Sequence, residues 1–133
     1  MESNIVQRRN LLRALAGGAL GAFGIGSARR EARAEEWIVQ IIYDAAGRWG
    51  VSGEWLLNTA VCESGLDPWS YNEITGDSGV FQFNPSTWAQ WGGDPNAIWD
   101  VWSQADMAGW AFANGLHTHW CCSGTWQGFQ QCV

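Results

Sequence analysis

The charge of this chain breaks at one place, and the break decides how much of it can fold as a domain. Arg8, Arg9, Arg13, Arg29, Arg30 and Arg33 all precede residue 35; after it Arg48 is the one arginine, and the chain has no lysine. Ahead of the break, residues 1–7 are polar, a basic pair follows, and residues 11–25 are apolar and rich in Ala and Gly. Ala32-Arg33-Ala34 then gives an A-x-A cleavage pattern, which completes the order of a secretory leader. The apolar run that follows Arg13 holds 12 residues, short of the ~20 that a spanning helix needs. Cleavage is expected after Ala34, so residues 1–34 are the leader and the 99 residues 35–133 form one domain.

Those 99 residues carry one arginine against 11 acids, a net charge of −10 with His neutral. Such a surface excludes nucleic acid and anionic membranes as electrostatic partners. All 11 tryptophans fall in this part. A domain of this size buries around two-thirds of its unfolded surface. About two-thirds of the tryptophans are therefore expected in the core and the rest along a groove; stacking on sugar rings is one use for such faces, and simple core filling is the plain alternative.

Apolar periodicity gives the outline. Ile38, Ile41, Ile42 and Ala45 share one face of a helix over residues 35–49, ended by Gly50. Ser52 is placed to cap a second helix, and Gly65 to terminate it. Residues 71–82, punctuated by Asn, Gly and Asp, read as turns and a small β-hairpin. Asn84-Pro85 opens another helix, with the proline at its first position, and Gly92-Gly93 closes it. Residues 98–114 read as a longer helix whose buried side is Trp102, Ala105, Met107, Ala108, Trp110 and Ala111. The fold class is α+β, mostly α, and no repeat or low-complexity linker follows residue 34.

Four cysteines in an exported domain point to disulfides. Cys62, Cys121, Cys122 and Cys132 allow three connectivities, and a ring closed between adjacent Cys121 and Cys122 is strained, so two longer bridges are expected. A bridge from Cys62 to the C-terminal group would tie the second helix to the end of the chain. His117 and His119 beside Cys121 and Cys122 match no familiar zinc spacing, and no metal or other cofactor is expected.

The chemistry centres on Glu63. Leu56, Thr59, Ala60 and Glu63 fall at i, i+3, i+4 and i+7, which puts the carboxyl on the core-facing side near the helix C-terminus. Partial burial and the negative end of the helix dipole both disfavour its charged form, the condition a general acid requires. A glutamate turned to solvent at a helix end is the plain alternative. The residues that follow argue against it.

Glu63-Ser64, Pro68, Gly76, Gly79-Val80-Phe81-Gln82 and Pro85-Ser86-Thr87-Trp88 together resemble the lysozyme-like lytic transglycosylases. Cys62-Glu63-Ser64-Gly65 with Phe81-Gln82-Phe83 and Ser86-Thr87-Trp88-Ala89 also resembles the resuscitation-promoting factors, a related group of wall-cleaving enzymes. Arg8-Arg9-Asn10-Leu11-Leu12 is similar to twin-arginine export signals of bacteria, which implies a secreted, cell-wall or periplasmic location. The resemblance implies a lysozyme-like fold whose hairpin flanks an active-site cleft, and a monomer acting on peptidoglycan glycan strands. Glu63 takes the place of the single catalytic acid and base; Ser64, Tyr71, Asn72, Phe81, Gln82 and Trp88 lie on the stretches that hold the saccharide. The related factors carry a bridge from the cysteine of their C-E-S-G motif, which implies Cys62 paired with Cys121 or Cys122.

Two alternatives stand beside that reading. Asp77-Ser78-Gly79-Val80-Phe81-Gln82 is similar to the D-x-G-x-x-Q stretch of chicken-type lysozymes, whose aspartate is a second catalytic carboxylate. A hydrolytic muramidase using Glu63 and Asp77 is thus a rival to anhydro-product formation, with Glu73 a further candidate for the second carboxylate. A secreted sugar-binding module without turnover is the non-enzymatic rival, and the presence of Glu63 in its full motif weighs against it.

Overall fold

The structure, a computed structural model, describes residues 22–120, with side chains from residue 26 onward. The chain divides into two compact units at Val39/Gln40. Helix α1 is Ala22–Trp49. It starts 13 residues ahead of the expected position and runs through Ala34, because the Ala- and Arg-rich segment before Glu35 is itself made of good helix formers. Its last turn ends at Gly50, whose φ of 68° lies in the left-handed region that stops helices. Ile38, Ile41, Ile42 and Ala45 are all buried, as their spacing requires. No helix among the described residues is long and apolar enough to cross a membrane.

In the unit from Gln40 onward, α2 (Gly53–Ser64) is capped at both ends by the residues its sequence suggests. The Ser52 hydroxyl accepts from the Trp55 amide at 3.2 Å. Gly65, at φ 68°, donates its N–H back to Val61 O at 2.9 Å. Such a serine cap contributes about 1 kcal/mol. Helix α3 (Pro85–Gln90) has Asn84 as its cap and Pro85 in the first turn. Helix α4 (Val101–Ala113) is capped by Asp100. Two single 3₁₀ turns, Pro95–Ala97 and His117–His119, flank α4.

Helix α2 packs on α4, and the end of α1 meets α4 at Gly109. A Cβ there would stand 2.7 Å from the Trp49 ring, so the glycine is what lets the helices approach. The core is Ile41, Ile42 and Ala45 from α1, Leu56 and Ala60 from α2, Ala105, Ala108 and Phe112 from α4, and Val80, Phe81 and Phe83 from the intervening turns. Truncating one of these large side chains, Leu56 for example, costs about 2–5 kcal/mol.

Three expectations need correction. The small hairpin is absent among the described residues; two isolated antiparallel bridges, Tyr71 to Ser78 and Ser78 to Phe83, stand in its place. The reason is that Gly76, Gly79 and Gln82 all take positive φ, so the backbone turns too often to extend a ladder. What the structure shows is a mostly helical chain. The long helix starts at Val101, since Pro95–Ala97 forms its own turn and Asp100 caps the helix afresh. Its buried stripe is Val101, Gln104, Ala105, Ala108, Ala111 and Phe112, whereas Trp102 is exposed and Met107 and Trp110 only half-buried.

The tryptophans also depart from expectation. Of the ten described, Trp88 and Trp120 are buried, and Trp37, Trp49, Trp69, Trp99 and Trp102 are exposed. The packed faces of these helices are filled by Ala, Leu and Ile, and close approach at Ala45, Ala60 and Ala108 leaves no room for more indoles.

Candidate active site

Glu63 sits one residue from the end of α2, half-buried, with Cys62 exposed before it. The Ser64 hydroxyl ties the helix end to the turns that follow. Ser64 Oγ donates to Val80 O at 2.6 Å and to Ala60 O at 3.3 Å. Gly65 and Leu66 then both take positive φ, turning the chain sharply away from the helix axis. Cys62 is disulfide-bonded, and Cys121, Cys122 and Cys132 lie outside the described residues.

The turns from Ser70 to Phe83 are held by backbone and amide contacts. Asn72 N donates to Asp77 O at 2.9 Å, and Gly79 N to Ser70 O at 2.8 Å. Gln82, at φ 52°, donates from Nε2 to Ser70 O at 3.0 Å and Gly79 O at 2.9 Å. Both of its amide hydrogens are spent, so what Gln82 offers a ligand is its Oε1 acceptor. Asn72 is the converse: Oδ1 accepts from the Ile74 and Thr75 amides, leaving Nδ2 as its donor.

Beneath this segment lies a residue that sequence reading missed. Gln104, 1% exposed on α4, accepts from Phe81 N at 2.9 Å and donates to Ser78 O at 2.7 Å and Ile98 O at 2.6 Å. One amide thus serves three backbone groups of two separate turns. Gly79 makes room for it, since a Cβ there would stand 2.4 Å from Gln104 Nε2. The signal was available as a glutamine on the buried stripe of an otherwise apolar helix.

The expected saccharide residues divide into two groups. Tyr71 is 57% exposed, and Asn72 and Gln82 reach the surface. Phe81 at 0% and Trp88 at 2% exposure are core residues and present no face to a ligand at this segment. Phe81 packs at 6.3 Å from Trp120, whose Nε1 donates to Phe81 O at 2.8 Å. Trp88 lies edge-on to Phe83 at 5.0 Å, and its Nε1 donates to Asp94 O at 2.7 Å. Ser64 spends its hydroxyl on Val80 O and acts as a tie.

Tyr71 has two exposed companions that the sequence did not single out. Trp69 is 75% exposed and stacks on Trp99 at 6.2 Å with planes 30° apart; Tyr71 meets Trp99 at 6.1 Å. The three rings form an aromatic shelf that joins the loop after Glu63 to the segment leading into α4.

Asp77 is half-buried and accepts from Asn84 Nδ2 at 3.2 Å. Asn84 also donates to Thr75 O at 3.1 Å and caps α3, so the aspartate belongs to a joint between the turns and that helix. Burial lowers the His119 pKa below the ordinary histidine value, and Asp77 partly offsets that shift. Glu73 is exposed in the 73–75 turn. Among the described residues, no cluster of His, Cys, Asp and Glu is arranged to hold a metal. His117 instead packs at a tilt against Trp55 at 4.8 Å, and His119 edge-on to Trp91 at 5.0 Å.

No protein-family model, curated protein or solved structure matches the chain.

Proposed function

We propose that this chain is an exported peptidoglycan lytic transglycosylase with a lysozyme-like arrangement, in which Glu63 is the single acid and base. The observation that carries the reading is the conjunction around α2. A half-buried glutamate is anchored at a helix end by Ser64, and a shelf of exposed aromatic rings begins six residues later at Trp69. A partly buried carboxyl group, followed in the chain by exposed rings able to stack on sugars, supplies two of the parts that cleavage of a glycosidic bond requires.

In the proposed reaction, Glu63 protonates the oxygen linking N-acetylmuramic acid to N-acetylglucosamine as that C–O bond breaks. The muramyl 6-hydroxyl then attacks the anomeric carbon, and its proton passes to the Glu63 carboxylate. The 1,6-anhydro ring closes and the acid is regenerated. No water is consumed, so no second carboxylate is needed. Asn72 Nδ2 and Gln82 Oε1 supply one donor and one acceptor, the pair that an acetamido group requires.

The involvement of Asp77 in the Asn84 joint supports a structural role for it in this mechanism. Hydrolysis with Asp77 as partner is the outcome that product analysis would reveal instead. The direct test of the acid is Glu63→Gln, an amide of the same shape that cannot donate the proton. Clearance of a peptidoglycan suspension is expected to stop while the melting temperature stays near the parent value. Clearance at close to the parent rate would refute the assignment.

A further inference from the structure

A cavity of about 310 Å³ opens between the end of α1, α3 and α4, with no lining residue from residues 62–83. Its size falls at the lower end of small-molecule sites, about 300–1,000 Å³. Four indoles line it, those of Trp49, Trp88, Trp91 and Trp110, together with the carboxylate residues Asp94 and Asp106. Trp91 and Trp110 meet at 5.6 Å with planes 63° apart, so they make two walls of a corner.

We infer that this cavity is a binding site for a compact organic cation of the alkylammonium class. Indole faces carry negative electrostatic potential and attract cations, most strongly where water is partly excluded. The lining contains no Lys, Arg or His to oppose such a charge. Arg48, outside the lining, is held by Asp106 Oδ1 at 3.1 Å and lies over the Trp102 ring at 5.3 Å. The same Asp106 oxygen accepts from Trp49 Nε1 at 3.0 Å, which fixes that indole in the wall. Asp94, a second carboxylate of the lining, accepts one backbone N–H at Oδ1, from Asn96 at 2.9 Å.

The polar inventory argues against a neutral sugar. Ser103, the hydroxyl residue of the lining, spends its Oγ on Asp100 Oδ2 at 2.7 Å. Trp88 and Trp49 have likewise committed their N–H donors. The donors left for sugar hydroxyls are the indole N–H groups of Trp91 and Trp110, whereas π-faces and carboxylates dominate the lining and suit a cation. The inference is independent of the activity proposed for Glu63.

The test is calorimetric titration of the full chain with choline, at constant ionic strength, against its uncharged isostere 3,3-dimethylbutan-1-ol. Saturable 1:1 binding of choline is expected, with the isostere at least about tenfold weaker because it lacks the charge. Asp94→Asn keeps the oxygen that caps Asn96 and removes only charge; it should weaken choline by about three- to tenfold and leave the isostere unchanged. Trp91→Leu should remove most choline binding. Equal affinity for the two compounds, choline binding unaltered in both variants, or no saturable choline binding would overturn the inference. Preferential binding of N-acetylglucosamine in a Trp91-dependent manner would overturn it in favour of a saccharide site.

Discussion

Replacing Gln104 by Met keeps the side-chain length and apolar fit while removing the amide that holds the turns of the candidate site. Three hydrogen bonds are lost, to Phe81 N, Ser78 O and Ile98 O. They are not equivalent. Ser78 O also accepts from Phe83 N at 3.0 Å, so its loss costs only the net value of one bond, about 0.5–1.5 kcal/mol. The Phe81 amide belongs to a fully buried residue and would be left facing a thioether, at about 1–3 kcal/mol. With a similar contribution from Ile98 O, and some return from burying an apolar side chain, the loss comes to about 3 kcal/mol. For a domain of this size that is a fall of about 12–24 °C in melting temperature. Thermal and urea denaturation followed by circular dichroism would measure it, with the exposed Gln90→Met as control, expected within about 0.5 kcal/mol of the parent. A Gln104→Met protein melting within about 4 °C of the parent would refute the claim that this amide organises the turns.

Other expectations follow from the same contacts. Gly79→Ala puts a Cβ 2.4 Å from Gln104 Nε2 at a φ of 81° and should cost about 2–4 kcal/mol in the same denaturation assay. Trp69→Ala, at an exposed position, should leave the melting temperature unchanged and weaken glycan binding by about three- to tenfold, read from the concentration dependence of cleavage. His119 has its pKa lowered by burial, partly offset by Asp77, so the unfolded chain takes up the proton first as pH falls below the ordinary histidine value. Stability present above that value is lost on acidification; melting temperature should fall as pH drops from 7 to 5, and His119→Gln should flatten the slope. The disulfide at Cys62 is expected to reach Cys121 or Cys122, closing a loop of about 60 residues, and its reduction should cost roughly 4 kcal/mol. Non-reducing peptide mapping that pairs Cys62 with neither would refute that connectivity.

Much of the local structure could be read from the sequence because it depends on local chemistry. Ser52, Gly65, Asn84 and Gly50 mark their helix ends through side-chain caps or left-handed backbone, and each does so in the fold. Glu63 could likewise be placed on the helix side that includes Leu56, Thr59 and Ala60. What could not be read depended on partners distant in the chain. The 71–82 segment has the punctuation of a hairpin, yet its turns are set by Gln104, more than twenty residues away. Trp102 and Trp88 look alike in a composition count, but one lies under Arg48 and the other against Phe83. The shelf of Trp69, Tyr71 and Trp99 joins two loops whose meeting no spacing rule foretells.

The central claim is that one glutamate, without a second carboxylate, drives cleavage. Mass spectrometry of the soluble products from purified peptidoglycan tests it most directly, run for the parent chain, Glu63→Gln and Asp77→Asn. The account predicts 1,6-anhydro-muramyl ends, lighter by one water than hydrolysis products, from the parent and from Asp77→Asn, and no products from Glu63→Gln. Reducing muramic acid ends from the parent, with their loss in Asp77→Asn, would contradict it and establish hydrolysis by a carboxylate pair.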